Sequence, residues 1–549
     1  MSAVAPPSPV PDDYRFAKED RPTFPGSPFA PPHPGLRRVG YGLIGLWIGA
    51  TVTFANALVT VNVSNLAGAY GDYVAELTWL PAVYVAINAC GNLLLVKARA
   101  QFGVPRVMRP LFVIYALVAA LQLVAPTFAN AILVRGVCGL VSAGLVTLAI
   151  YYLLQVVPPK MRPVPLVVVL GLVQFGTPLA RLMPVDLLAA NHWHGLHGVE
   201  LAMVLTTFAL TTWLPLPPSE RIPQFEPLDF VTIALVAPGM VLVCGVVNRG
   251  RLAWWTDTPW LGYALAAAIP LLVAAGTIEL LRSRPLLHLR WLGRLDIVRF
   301  IVVALLMRLA LAEQTYGAVG LLTSGNLDND QLRTLFGFVL LGMSLGIVTC
   351  VLSLSEERLP YQVLVAALAI ALGAWLDSHA SNVTRPEQLY WSQSLIGFGT
   401  CLFIGPTLAY GIIRVIKQGP AYLVSLVVVF SITQNVGGLV GSAALGTYQV
   451  IATHEHALIL GERITGADPQ VGDRVRAGAT AVAGVITDPQ RRAIEGGSSL
   501  GSSVGREAAI LAFNDVFRLV AFLALATAVY LTYLVSRRAA RTPESLEVS

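Results

Sequence analysis

Fourteen apolar stretches, separated by short polar breaks, leave this chain few ways to fold. They begin near Tyr41, Leu77, Met108, Ile132, Pro163, Gly198, Phe230, Trp260, Ile297, Gln331, Leu359, Leu389, Pro420 and Leu511. Each runs roughly 20 residues, the length a helix needs to cross a hydrocarbon core. Lipid offers no partner to an unpaired strand edge, so a bundle of helices is the expected architecture. Only 12% of the residues are charged, against about 25% in soluble domains. The net charge of +6 therefore reads as loop charge rather than as a nucleic-acid surface.

Loop charge also sets an expected orientation. Numbering loops alternately, fifteen Lys and Arg residues from Lys97 to Lys417 fall in short loops of one side. Only Arg249, Arg251 and Arg385 fall on the other. Basic loops stay in the cytoplasm, which places both termini there. Residues 1–39 are rich in Pro and polar groups and are expected to form a disordered cytoplasmic tail. They lack the basic start, apolar run and cleavage site of a signal peptide. A second short tail is expected over 539–549.

Three segments interrupt the rhythm. RSRPLLHLRWLGRLDIVR, from Arg282, is either a helix lying flat on the inner leaflet or a basic linker. A long outer segment over 448–510 contains GGSSLGSSVG, whose composition is that of a flexible linker. The outer loop NHWHGLH holds His192, His194 and His197, without the spacing of a helical metal site. All five cysteines fall inside predicted spans and read as small apolar fillers.

Local motifs line up in a telling order. The first span contains FANALVTVNVSNL and the second TWLPAVYVAINACGNLLL. The fourth opens VRGVCGLVSAG, the seventh PLDF, and the last AILAFNDVFRLVAF, while the thirteenth contains TQNVGGLVGSAALGTY. The order resembles the major facilitator superfamily, and within it the fourteen-span drug:proton antiporter group of EmrB/QacA-like multidrug efflux transporters. The resemblance implies an all-α integral membrane protein with the major facilitator fold and 14 transmembrane helices. It divides them into an N-terminal six-helix bundle (40–217), two inserted helices with linkers (218–296) and a C-terminal six-helix bundle (297–538). It further implies export of a small amphipathic compound, a drug, toxic aromatic acid or metabolite, across the bacterial inner membrane. The proton gradient would supply the energy, with no cofactor. A periplasmic adaptor and an outer-membrane channel are candidate partners beside the lipid bilayer and the substrate. Proton-coupled uptake and a non-transporting sensor are the alternatives.

The sequence also departs from that pattern. Ala55, beside Asn56, stands where the group carries an acidic residue. The loop KARAQFGVPRVM keeps its basic charge without an Asp. In GTPLARLM, Ala180 and Arg181 replace a glycine pair.

Ionisable groups inside spans are costly and tend to mark a pathway. Arg135 matches the group's arginine, to which the resemblance gives a part in proton coupling; otherwise it is a salt bridge locking the fourth span to the first. Arg181 either snorkels to the outer interface or faces the cavity, where it would suit a carboxylate-bearing cargo. Glu200 is expected at the interface or paired with Arg181. Glu313 is the expected proton carrier, with Arg308 near mid-membrane five positions before it. Asn56, Gln314 and Gln434 are further pathway candidates, as are Asn62, Gln174, Asn435, Tyr84 and Tyr316. Gly136, Gly139, Gly144, Gly437, Gly438 and Gly441 are expected to let helices approach closely.

Overall fold

The computed structural model describes residues 27–183, 193–219, 223–416, 418, 422–465 and 467–539. The described chain is helical throughout, with one isolated β-bridge between Pro28 and Ser219. Thirteen of its helical stretches are long and apolar enough to cross a membrane. In chain order the helices are α1 (Gly35–Thr51), α2 (Phe54–Val61), α3 (Val63–Tyr70), α4 (Val74–Leu77), α5 (Trp79–Phe102), α6 (Val104–Val124) and α7 (Phe128–Leu154). Next come α8 (Pro163–Leu172), α9 (Gly176–Leu182), α10 (Trp193–Trp213), α11 (Pro227–Gly250) and α12 (Pro259–Leu281). A short α13 (Leu289–Leu292) precedes α14 (Leu295–Ala310), α15 (Glu313–Ser324), α16 (Asn329–Leu352), α17 (Leu359–Asp377) and α18 (Tyr390–Ile416). The chain closes with α19 (Leu423–Glu462), α20 (Pro469–Ala481) and α21 (Pro489–Ala539).

The ninth expected span is the one missing from the thirteen. It is broken at Leu311–Ala312 into α14 and α15, each too short to cross alone. The first span breaks in the same way at Val52–Thr53, between α1 and α2. The Thr53 hydroxyl donates to the Val173 carbonyl at 2.7 Å, which ties this break to the α8–α9 bend.

Helix starts follow local chemistry. Glu226 and Asp229 form a reciprocal capping box on α11, and Asp328 and Gln331 do so on α16. Gly103, at φ 83°, turns the chain between α5 and α6 in a conformation that disfavours a side chain.

One core cluster draws only on residues between Tyr41 and Val204. A second, apart from Val167, draws on residues between Trp291 and Ala528. Helices α11 and α12 join neither; α11 packs on α5, α12 and α19. Asp229 of α11 receives Lys97 of α5 at 2.8 Å and also pairs with Arg282, which reaches Glu279 at 3.0 Å. We call this end of the bundle, which carries most loop Lys and Arg, the basic face, and the other the distal face. Large apolar side chains such as Leu117, Leu341, Leu345 and Phe522 are exposed around the outside, as a lipid-facing surface requires.

The glycine expectations divide. A Cβ on Gly139 would lie 2.6 Å from the Tyr84 carbonyl oxygen and 3.2 Å from the Asn88 nitrogen, both backbone atoms of α5. Gly144 faces the Met108 side chain, and Gly441 faces Ala312 and the Leu309 backbone. Gly136 meets only ordinary contact with Val83 at 3.7 Å and is not a close-approach site. Gly139→Val should therefore push α7 off α5 and destabilise the fold by about 3 kcal/mol, whereas Gly136→Ala should cost little. Thermal unfolding of the purified variants in detergent reads the difference; equal melting temperatures would refute it.

Two segments differ from expectation, and the segment after Arg282 follows one of its two readings, the linker. Residues 27–34 are not a free tail: Phe29 is buried, its N–H donates to the Pro218 carbonyl at 3.0 Å, and His33 meets Gln155 at 2.9 Å. The expected tails over 1–26 and 540–549 lie outside the described residues. The linker after Arg282 does not lie flat as a helix; α13 is one turn. Trp291 stacks on Tyr422 with ring centres 5.1 Å apart, and the His288 N–H donates to Ser425, which docks the linker on the base of α19. GGSSLGSSVG is helix within α21 rather than flexible linker. Of its four glycines, Gly496 serves packing: a Cβ there would lie 2.2 Å from the Val475 carbonyl of α20.

Candidate functional site

Besides the Asp229–Arg282 network on the basic face, the described interior holds two further buried polar clusters, and Arg181 and Arg308 stand among its arginines without an ion pair. The first cluster centres on Arg135 of α7 and Glu200 of α10, each 1% exposed and joined as an ion pair. The Tyr115 hydroxyl of α6 donates to the same Glu200 oxygen, and His197 lies 3.6 Å from the other. Arg135 also donates to the Ala55 carbonyl of α2 at 3.1 Å. Tyr70 extends the network, contacting His197 at 3.1 Å and accepting from Gln122 at 2.6 Å. Glu200 thus pairs with Arg135 and not with Arg181, and Arg135 is tied to α10 as well as to the first span. Arg135 and Glu200 lie at matching depth, each the eighth residue of its helix, and α7 and α10 both pack on α6.

His197 belongs to α10 and not to a loop. His192 lies outside the described residues, as does the side chain of His194. Among the described residues no group of three His, Cys, Asp or Glu could hold a metal ion.

The second cluster joins Glu313, the first residue of α15, to Asp377, the last of α17. Gln393 of α18 bridges them, its Nε2 donating to Glu313 Oε1 at 3.0 Å and to Asp377 Oδ2 at 2.7 Å. Gln314 donates to the Gln393 carbonyl at 3.2 Å. Glu313 is 0% and Asp377 2% exposed. Neither has a basic partner among the described residues, and Glu313 Oε2 is buried without a hydrogen bond. Glu313 is thus sealed from water. Asp377 and Gln393 were not singled out from sequence. An acid closing an apolar run reads as the first loop residue, and a lone Gln carries no signal.

Tyr316, one turn beyond Glu313, lines a distal-face cavity of about 510 Å³ with Arg251, Thr315 and Gln449. Its hydroxyl accepts from Arg251 at 2.9 Å and contacts Gln449 at 3.1 Å. Tyr84 is buried between α5 and α7.

Arg181 neither snorkels outward nor pairs with an acid among the described residues. It hydrogen-bonds Asn329 of α16 and lies over the Phe336 ring, 5.6 Å from its centre. Asn329 in turn donates to Asn62 at 3.2 Å. These contacts join α9 and the α2–α3 junction to the start of α16 on the distal face. Along α5 and α19, Asn435 donates to Asn88 and Asn92 to Ser431, both at 2.9 Å.

Arg308 of α14 lies against α19. Its Nε donates to the Gln434 carbonyl at 2.8 Å. A Cβ on Gly438 would fall 2.6 Å from its Nη2, and one on Gly437 3.3 Å from its Cγ. Gln434 keeps both side-chain polar atoms buried without partners, as Asn56 does its Oδ1.

No protein-family model and no curated protein matches the chain. Solved structures do. A bacterial homologue of the human drug peptide transporters PepT1 and PepT2 aligns with a TM-score of 0.54 at 12% identity, over 92% of this chain and 100% of that one. The POT family transporter PepTSo aligns with a TM-score of 0.52 at 13% identity, over 92% and 99%. The MFS proton:xylose symporter XylE aligns with a TM-score of 0.49 at 13% identity, over 92% and 97%. At such identities the likeness is one of fold. The chain is an all-helical, multi-pass membrane protein with the major facilitator fold, and the proteins that share it here are transporters rather than enzymes.

Proposed function

We propose that this protein is a secondary active transporter that exports a small amphipathic compound across the bacterial inner membrane in exchange for protons. The observation that carries the reading is the Glu313–Gln393–Asp377 cluster. Two carboxyls share one amide in a dry site without a cation among the described residues. Like charges so placed repel, so the site is suited to hold a proton and release it when access changes. The distal cavity is lined by Thr315 and Tyr316, within one turn of Glu313 along α15, and is the side from which we read the proton to enter when access changes. In this reading the basic face is cytoplasmic. The broken ninth span completes fourteen, arranged as six, two inserted, and six. The two six-helix halves rock about a midplane site, with Arg181, Asn329 and Asn62 as a distal gate. The α19–α20–α21 hairpin is where an adaptor would dock.

The gate offers the test. All five native cysteines are buried, so a bifunctional thiol reagent reads an introduced pair, Arg181→Cys with Asn329→Cys. In energised inverted vesicles, accumulation of amphipathic probes should stop on bridging and resume when a reducible bridge is cleaved. Undiminished, protonophore-sensitive accumulation in the bridged protein would sink alternating access at this gate.

A further inference from the structure

Arg308 is a pathway candidate with no ion-pair partner among the described residues and with a cradle of glycines built around it. It sits near the middle of the stretch from Leu295 to Ser324. Only Nε has a protein acceptor among the described residues, the Gln434 carbonyl at 2.8 Å. The remaining guanidinium N–H groups have none. The nearest acid along the chain, Glu313, is engaged with Gln393 instead. A guanidinium at this depth without an anion is costly, and such groups persist where they face a pathway.

The surroundings are shaped to keep the group where it is. Gly437 and Gly438 leave the space that its stem and planar head occupy, and any side chain on Gly438 would displace the head. The Gln434 amide, on the preceding turn of α19, is buried with both polar atoms unused. A fork of N–H donors held by the Gln434 carbonyl, on a residue whose own amide is unused, matches a carboxylate, whose two oxygens accept in parallel from a guanidinium.

We infer that the cargo is an organic anion, and that its carboxylate or equivalent acid group is bound by Arg308 with the Gln434 amide as second partner. This rests on the transport reading above and narrows its cargo to one class. An inside-negative potential then favours export directly, because moving a negative charge outward and a proton inward both run with the field.

The test is ligand-dependent thermal stabilisation of the purified full-length protein. The probes are benzoate, salicylate and naphthoate, each against its matched amide and amine, with chloride and gluconate salts as separate arms. Stabilisation should be confined to the aromatic carboxylates. It should weaken at least tenfold in apparent affinity in Arg308→Gln, survive in part in Arg308→Lys, and fall in Gly438→Ala, which keeps the charge but fills the cradle. Should Arg308→Gln not fold, Arg308→Lys and Gly438→Ala carry the comparison. Equal stabilisation by amides or amines, stabilisation by chloride alone, no response to any carboxylate, or carboxylate binding untouched by all three variants would each overturn the assignment. The assay needs no proton gradient. Carboxylate binding by a wild-type protein that a proton gradient does not drive would therefore count against the proton reading alone, and proton-driven transport without carboxylate binding against Arg308 alone.

Discussion

Glu313→Gln is expected to abolish proton-driven transport while leaving the protein folded and in the membrane. The amide is nearly isosteric with the acid and can still meet Gln393 within the cluster. It cannot take up or release a proton. A loss of about 10²-fold or more in gradient-driven rate is the scale of removing a positioned proton-carrying side chain. Exchange of cargo at equal pH on both sides should persist, because that process needs rocking but no net proton movement. Asp377→Asn should follow the same pattern, since Gln393 Nε2 serves both carboxyls. Glu313→Asp should recover part of the driven rate. The measurement is probe accumulation in reconstituted vesicles, with and without an imposed pH step. Unchanged driven accumulation in Glu313→Gln would remove Glu313 from the mechanism.

What the sequence made legible, and what it hid, follows from the solvent. Lipid forces every span to satisfy its own backbone, so spans show as apolar runs. The same cost makes Arg135, Arg308 and Glu313 conspicuous. Their partners are another matter. Glu200 was visible as a charge, but its pairing with Arg135 depends on how α7 and α10 meet, which no single span encodes. Asp377 was hidden by sitting on the boundary where polarity is ordinary. The segment GGSSLGSSVG reads as linker because composition cannot separate a glycine that frees a chain from one that lets two helices touch. Gly478 and Gly496 do the latter, with Gly496 Cα 3.1 Å from the Cβ that Gly478 lacks. The breaks at Val52–Thr53 and Leu311–Ala312 carry no Pro or Gly and so left no local mark.

Glu200→Leu should be among the most destabilising single changes in the molecule. It strands the Arg135 guanidinium, 1% exposed, without its carboxylate. Breaking a buried ion pair from one side costs about 3–5 kcal/mol, because the surviving charge is neither solvated nor paired. Arg135→Met should cost less, since Glu200 can take a proton and keeps Tyr115 and His197 beside it. Replacing both, Arg135→Met with Glu200→Leu, should recover most of the loss, as apolar substitutes for a buried pair commonly do. Thermal unfolding of the four proteins in detergent forms a double-mutant cycle that isolates the pair's coupling. Transport in the double variant then decides what the pair is for. Arg135 is engaged with Glu200 and Ala55 inside one set of packed helices, and its Nη contacts do not reach α14–α21. If that arrangement serves as a lock among α2, α7 and α10, the double variant should transport at near the wild-type rate. A double variant that is fully folded yet unable to drive accumulation would assign Arg135 to the coupling machinery and overturn the lock.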